Sequence, residues 1–110
     1  MVAKFDEEFQ IIWKTAFQGL TNHDSFDVSP NEDYIYLASF TTTWDVIKIN
    51  STNGSINLTK SIDLINDCSS LTLSENATFT YVTGLQSTRS YIVMVNSTDL
   101  TEYETFRISI

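Results

Sequence analysis

Shifted by 45 positions, this chain matches itself. Ser29 meets Ser74, Asn31 meets Asn76, Tyr36 meets Tyr81 and Leu37 meets Val82, while Phe26 and Val28 fall on Leu71 and Leu73. One inserted residue then puts Asn50-Ser51-Thr52 on Asn96-Ser97-Thr98. Backwards, Val2-Ala3-Lys4-Phe5-Asp6 resembles Val46-Ile47-Lys48-Ile49-Asn50, and Phe9–Lys14 corresponds to Ser55–Lys60. A fixed period of this size constrains the fold strongly. Each unit is one supersecondary module that cannot bury its apolar face alone and stacks on its neighbours. The phase is informative too: residues 1–20 read as the second half of one unit, and 21–65 and 66–110 as two whole units.

Within the unit the pattern is of short strands. Phe26–Pro30 is a brief alternating segment, Asn31-Glu32-Asp33 a turn, Tyr34–Phe40 an aromatic-rich apolar run and Asp45–Asn50 a further strand. The Asn53-Gly54 pair is the sequence signal for a two-residue hairpin turn, and Ser55–Ile62 supplies the last strand. The later unit reads as strands Ser70–Leu73, Thr78–Thr83, Ser90–Asn96 and Thr101–Ile108, with Gly84–Arg89 as a connection. Ahead of both, Val2–Asp6 and Phe9–Phe17 are expected to pair; Asp6–Ala16 also admits a helical reading, which the correspondence with Ser55–Lys60 disfavours. The expectation is all-β. Four strands in 40–45 residues is the period of a β-propeller blade, so about two and a half blades of an incomplete ring are expected. A β-sandwich has similar turn spacing and is the alternative, although it needs no internal repeat.

Val28-Ser29-Pro30-Asn31-Glu32-Asp33-Tyr34-Ile35-Tyr36-Leu37-Ala38, followed by Asp45–Ile56, resembles the YVTN-type propeller repeat, and Tyr81-Val82-Thr83-Gly84 echoes its namesake tetrapeptide. The family pattern runs S-P-D-G-x-x-x-Y-V, then V-x-V-I-D-x-x-T-G-x-V. This chain departs from it where Glu32-Asp33 stands for the usual Asp-Gly, and the later unit lacks both the Pro and the late Gly. The resemblance implies a propeller with a binding or scaffold surface, often extracellular, and transfers no catalytic residue. WD-type repeats fit less well, since Trp44-Asp45 precedes a strand instead of closing one.

Composition narrows the partners. The net charge is −8 and the pI about 4.2, which disfavours nucleic acid and anionic membrane surfaces. No run approaches the roughly 20 apolar residues of a membrane helix, so no membrane insertion is expected. Met1–Phe5 runs straight into acidic Asp6-Glu7-Glu8 without a secretory leader, which says nothing about the compartment of a longer parent. Cys68 is the only cysteine, so no intrachain disulfide forms; it reads as a small buried hydrophobe, or alternatively as a free thiol or an intermolecular bridge.

Candidate chemistry is sparse. His23-Asp24-Ser25 holds the residue types of a hydrolase triad, but adjacent residues on one segment do not reach triad geometry. Asp24, Asp27, Asn31, Glu32 and Asp33 are oxygen donors for a Ca²⁺ ion in an acidic turn, without the spacing of a known Ca²⁺ loop. Neither pattern leads to an expected cofactor, metal or catalytic residue. Of the aromatics Trp13, Trp44, Tyr34, Tyr36, Phe40, Tyr81, Tyr91 and Tyr103, most are expected between sheets; Trp44, in the connection after Thr41-Thr42-Thr43, is the candidate binding surface. Five sites match the N-glycosylation acceptor: Asn50, Asn53, Asn57, Asn76 and Asn96. Eight Asn in a chain one-quarter Ser/Thr lead to about two by chance, so the excess points to an extracellular or cell-surface protein, with a cytoplasmic one as the alternative.

The expected function is therefore a non-enzymatic propeller module for recognition or structural scaffolding. Its partners are the remaining blades of a larger chain or copies of itself, with a protein or glycan ligand. The alternatives are a self-assembling subunit that forms a ring or filament through open blade faces, and a fragment of a propeller enzyme.

Overall fold

The computed structural model describes residues 2–15, 25–40, 43–63, 68–86 and 89–108. His23 and Asp24 lie outside them, as do the side chains of Cys68 and Phe40. Ten strands account for about two-thirds of the described residues, and none of the described residues is helical. They are β1 (Val2–Phe5), β2 (Ile11–Thr15), β3 (Ser25–Val28), β4 (Tyr34–Phe40), β5 (Trp44–Asn50), β6 (Ile56–Ile62), β7 (Cys68–Leu73), β8 (Phe79–Gln86), β9 (Arg89–Asn96) and β10 (Glu102–Ile108). The helical reading of Asp6–Ala16 is thus excluded where it is described: Ile11–Thr15 pairs antiparallel with β1, burying Trp13 and leaving Ile11 and Ile12 exposed.

The strands form three antiparallel sheets in chain order: β1-β2, β3-β4-β5-β6 and β7-β8-β9-β10. Each larger sheet is a simple meander, because each connection is short enough to bring the chain back beside itself. The apolar content of each strand decides its place. The middle strands are the buried ones: Ile35, Tyr36, Leu37, Ala38 and Ser39 in β4, and Trp44 and Val46–Ile49 in β5. Such near-continuous burial needs a partner on both faces of the sheet. The last strands are polar and open, with Ile56–Thr59 and Glu102–Arg107 all exposed.

The middle sheet supplies both faces. Ile35, Leu37, Ile47 and Ile49 form one apolar cluster with Trp13 and Val2 of the first hairpin. Tyr36, Ala38, Trp44 and Val46, from the alternate positions, form a second with Leu71, Val82, Val93 and Val95 of the last sheet. The period of two that separates these sets is the strand's own geometry.

Three details differ from the sequence reading. Trp44 opens β5 and is fully buried, so it offers no binding surface. Thr43 Oγ1 donates to Asp45 Oδ1 (3.0 Å), turning the chain at this point so that the indole enters the core between sheets. The strand β8 continues through Gly84 to Gln86, pairing with Arg89–Tyr91, where a connection was expected. Finally, Asn53-Gly54 is not a two-residue turn. Asn50 N donates to Ser55 O and Gly54 N to Asn50 O (both 2.8 Å), closing a four-residue loop. Only Gly54 (φ 75°) has a positive φ there, whereas the two-residue type I′ turn requires two such residues.

Candidate functional site

The turns are built by short polar side chains that bind the backbone two residues on. Asn50 Oδ1 accepts from Thr52 N (2.8 Å), and Asn96 Oδ1 from Thr98 N (2.8 Å). Asn53 Oδ1 accepts both the N–H (2.9 Å) and the hydroxyl (2.8 Å) of Ser55, and Asn76 Oδ1 accepts Thr78 N (3.1 Å). Four of the five acceptor motifs therefore serve as turn caps; Asn57 instead lies exposed on β6. The same device occurs with aspartate, which carries no N-glycan. Asp6 Oδ1 accepts Glu8 N (2.9 Å), at the position matching Asn50 and Asn96. Asp99 Oδ1 accepts the N–H (3.0 Å) and hydroxyl (2.8 Å) of Thr101, matching Asn53 and Ser55. Turn chemistry thus gives the Asn of these four motifs a structural role without a glycan, and at Asn53 the Ser55 hydroxyl as well.

The acidic turn after β3 is likewise self-contained. Ser29 Oγ donates to Asn31 Oδ1 (2.8 Å), and Asn31 Nδ2 donates to Asp33 Oδ2 (2.9 Å). Asp27 uses one carboxylate oxygen for Val28 N (2.8 Å) and the other for Leu73 N across the sheet boundary (3.0 Å). Among the described residues no group of three or more His, Cys, Asp or Glu gathers to hold a metal ion.

The sheet boundaries contain groups that the sequence reading did not single out. Lys4 Nζ donates to Ser51 O (3.0 Å), as does Trp13 Nε1 (2.9 Å), fastening the first hairpin to the β5–β6 turn. At the next boundary, Lys48 Nζ donates to Thr98 O (3.0 Å) and Tyr36 Oη to Ser97 O (2.9 Å), gripping the β9–β10 turn. Lys4 and Lys48 are matched positions in the two units, so their correspondence was the available signal. Lys48 is 5% exposed and its ammonium lies 4.1 Å from the centre of the Tyr34 ring. Burial holds its pKa below the ordinary 10.5, offset in part by Asp99. Burial also raises the Tyr36 phenol above 10.0, with Tyr34 adding to the effect. Asp99 is held below the usual carboxylate value, first by the Thr101 N–H. A cleft of about 510 Å³ beside this pair runs between the Ser29–Asn31 and Glu75–Ala77 turns.

A larger groove, about 630 Å³, lies beside β1. Its floor is Phe26, Val28, Ile35 and Leu37, and its wall is Val2–Phe5. Phe26 is 63% exposed and Val28 39%. Among the described residues, β1 pairs only with β2, so its other edge borders this groove.

Of the aromatics expected between sheets, Trp13 and Tyr36 are buried, Tyr34, Tyr81 and Tyr91 are half-buried, and Tyr103 is exposed against Phe79; Trp44, expected at the surface, is buried. Comparison with family models, curated proteins and solved structures finds no match for this chain.

Proposed function

We propose that this chain is a run of β-propeller blades, one outer half-blade and two whole blades, acting as a non-enzymatic module for recognition or structural scaffolding. The observation that carries the reading is the repeated step from sheet to sheet. Lys4 binds the β5–β6 turn, and its match Lys48 binds the β9–β10 turn. The acceptor is shifted by one residue, since Ser51 matches Ser97 and Lys48 binds Thr98, but in both cases a matched lysine grips the corresponding turn of the next sheet, the kind of repeated step a propeller requires. The sandwich alternative is less well supported, because the sheets follow one another as separate meanders with no strand crossing between them among the described residues. The resemblance of Val28–Ile56 to the YVTN-type repeat points the same way.

The non-enzymatic reading is supported by the acidic cluster after β3, whose polar atoms are engaged in holding the turn, at Ser29, Asn31 and Asp33, and the next sheet, at Asp27. The extracellular reading rests on the Asn-x-Ser/Thr motifs, and weakens to the extent that these are turn caps. One experiment addresses both: the denatured mass of the polypeptide from its native source, before and after glycan removal. The expected result is a deglycosylated mass well above 12.5 kDa. A mass near 12.5 kDa would favour the second reading, self-assembly through the exposed apolar residues Phe5, Ile11, Ile12 and Phe26. A drop on glycan removal supports the secretory pathway, and no drop leaves the motifs as turn chemistry.

A further inference from the structure

We propose that the groove beside β1 is the docking site for a two-stranded antiparallel β-hairpin, which adds to the edge of β1 that has no strand partner among the described residues and covers Phe26 and Val28. The inference rests on the propeller reading and specifies what the first half-blade binds. The two whole sheets differ at matched positions of their first strands. Leu71 matches Phe26 and Leu73 matches Val28, yet Leu71 is 4% exposed where Phe26 is 63% exposed. The difference is what lies opposite. Leu71 belongs to the cluster that holds Tyr36 and Ala38 of the middle sheet, with Leu73 and Tyr34 packed against it. The N–H groups of Leu71 and Leu73 donate to Ser25 Oγ (3.2 Å) and Asp27 Oδ2 (3.0 Å) of β3. Phe26 and Val28 face a neighbour described only as its two outer strands, β1 and β2.

The covered boundary therefore gives the chemistry of the occupant. Its outer strand pairs with β1 as β4 pairs with β5; the residue matching Ala38 stands opposite Val2 and the residue matching Ile35 opposite Phe5. Its inner strand presents a hydroxyl, in the place of Ser25, to the amide of Phe26; the amide of Val28 already donates to Asp27 Oδ1 (2.8 Å). The groove is continuous with the existing interface, sharing Val2, Ile35 and Leu37 with the Trp13 cluster. An open strand edge above an apolar floor is the arrangement that strand addition uses.

The natural probe is the chain's own first two strands. A copy of residues 22–45 is joined directly to Val2 in the full chain, which keeps the connection the unit already uses. Residue-resolved amide hydrogen exchange is then compared with that of the unextended chain. The expected result is exchange at least about tenfold slower at Ala3, Phe5 and Phe26, whose amides face the groove, while those of Asp6 and Lys4 face β2. The slowing is lost when the appended copy carries Tyr36→Asp and Ala38→Asp. No slowing, or equal slowing with the substituted copy, overturns the proposal. So does concentration-dependent protection of the same amides in the unextended chain, which would make a second copy the occupant. The amides of Leu71 and Leu73 separate this failure from that of the propeller reading. If they are protected throughout while β1 stays open, only the hairpin proposal falls. If they exchange freely, the sheet-to-sheet packing is absent and both fall.

Discussion

Five described residues have a positive φ, and every one sits in a hairpin turn: Phe9, Glu32, Gly54, Ala77 and Leu100. Gly54 is the one whose side chain must be hydrogen. A Cβ there would lie 2.5 Å from Trp13 Cε3, and φ is +75°. Gly54→Ala therefore combines left-handed strain of about 1–2 kcal/mol with overpacking of about 1–3 kcal/mol. The expected loss is about 2–5 kcal/mol, with a shift in Trp13 fluorescence as β2 is pushed off the turn; urea unfolding measures it, and a loss below about 1 kcal/mol would mean that the β2 contact gives way freely. Leu100 holds the corresponding turn position at φ 61°, but is 1% exposed within the second cluster. Burial worth about 1.5–3 kcal/mol outweighs the strain there, so Leu100→Gly is expected to destabilise. Ala77, at φ 59° and half-buried, has little to offset its strain. Ala77→Gly is expected to stabilise by about 0.5–1 kcal/mol in the same assay. These positions were only partly legible. Glu32 has a φ of 62°, in a turn, Ser29–Asp33, that contains no glycine. A turn that tolerates Glu, Ala or Leu leaves no glycine in the sequence to mark it.

At the scale of the strand, β5 joins two functions: Ile47 and Ile49 pack on the first hairpin, while Lys48 reaches across the other face to Thr98. The two ionisable groups of this contact have opposite pH signatures. Because burial lowers the Lys48 pKa, the unfolded chain keeps that proton to higher pH than the folded one, so stability rises as pH climbs toward 10.5. Tyr36 is raised, so the unfolded chain deprotonates first and stability is lost as pH passes 10.0. Replacing Lys48 by the methionine that stands at the matching position 94 removes the first effect. Relative to Lys48→Met, the native chain is expected to gain stability below pH 10.5 by at most about 1.4 kcal/mol per pH unit. Tyr36→Phe removes the loss above pH 10.0, at a cost of about 1 kcal/mol near neutrality for the bond to Ser97 O. Denaturant unfolding across this range checks both; parallel pH profiles for native and variant chains would mean that neither group titrates differently on folding. The strands themselves were legible because turn residues and apolar runs bracket each one. β8 was cut short at Gly84 because a lone glycine and the following polar residues carry the same signal as a turn. The boundary lysines were not legible as such, since a lysine in a strand normally marks a solvent face, and only the packing of the next sheet reverses that meaning.

Across the whole molecule, the two sheet boundaries are unequal. The boundary between the middle and last sheets holds ten buried residues in one cluster; that between the first hairpin and the middle sheet holds five. Each contains one tryptophan, Trp44 in the larger and Trp13 in the smaller. A stack of units unfolds according to its nearest-neighbour interfaces, and a two-stranded hairpin alone is at best marginally stable. The first hairpin should therefore detach before the two four-stranded sheets separate. Single-tryptophan chains make this measurable, with Trp44→Phe leaving Trp13 as reporter and Trp13→Phe leaving Trp44. Trp13 fluorescence is expected to change at lower denaturant than Trp44 fluorescence, while circular dichroism follows Trp44. Hydrogen exchange in the native chain should agree, with β1 and β2 opening at a lower free energy than β8 and β9. Since each substitution weakens the boundary it vacates, the order must hold in both chains against the same circular dichroism signal. Coincident transitions would show that the five-residue cluster and the Lys4 and Trp13 bonds to Ser51 couple the hairpin fully to the sheet. In that case the groove beside β1 borders a rigid wall. If the hairpin detaches first, whatever covers Phe26 and Val28 must also hold the hairpin in place, and docking there stabilises β1 and β2 together.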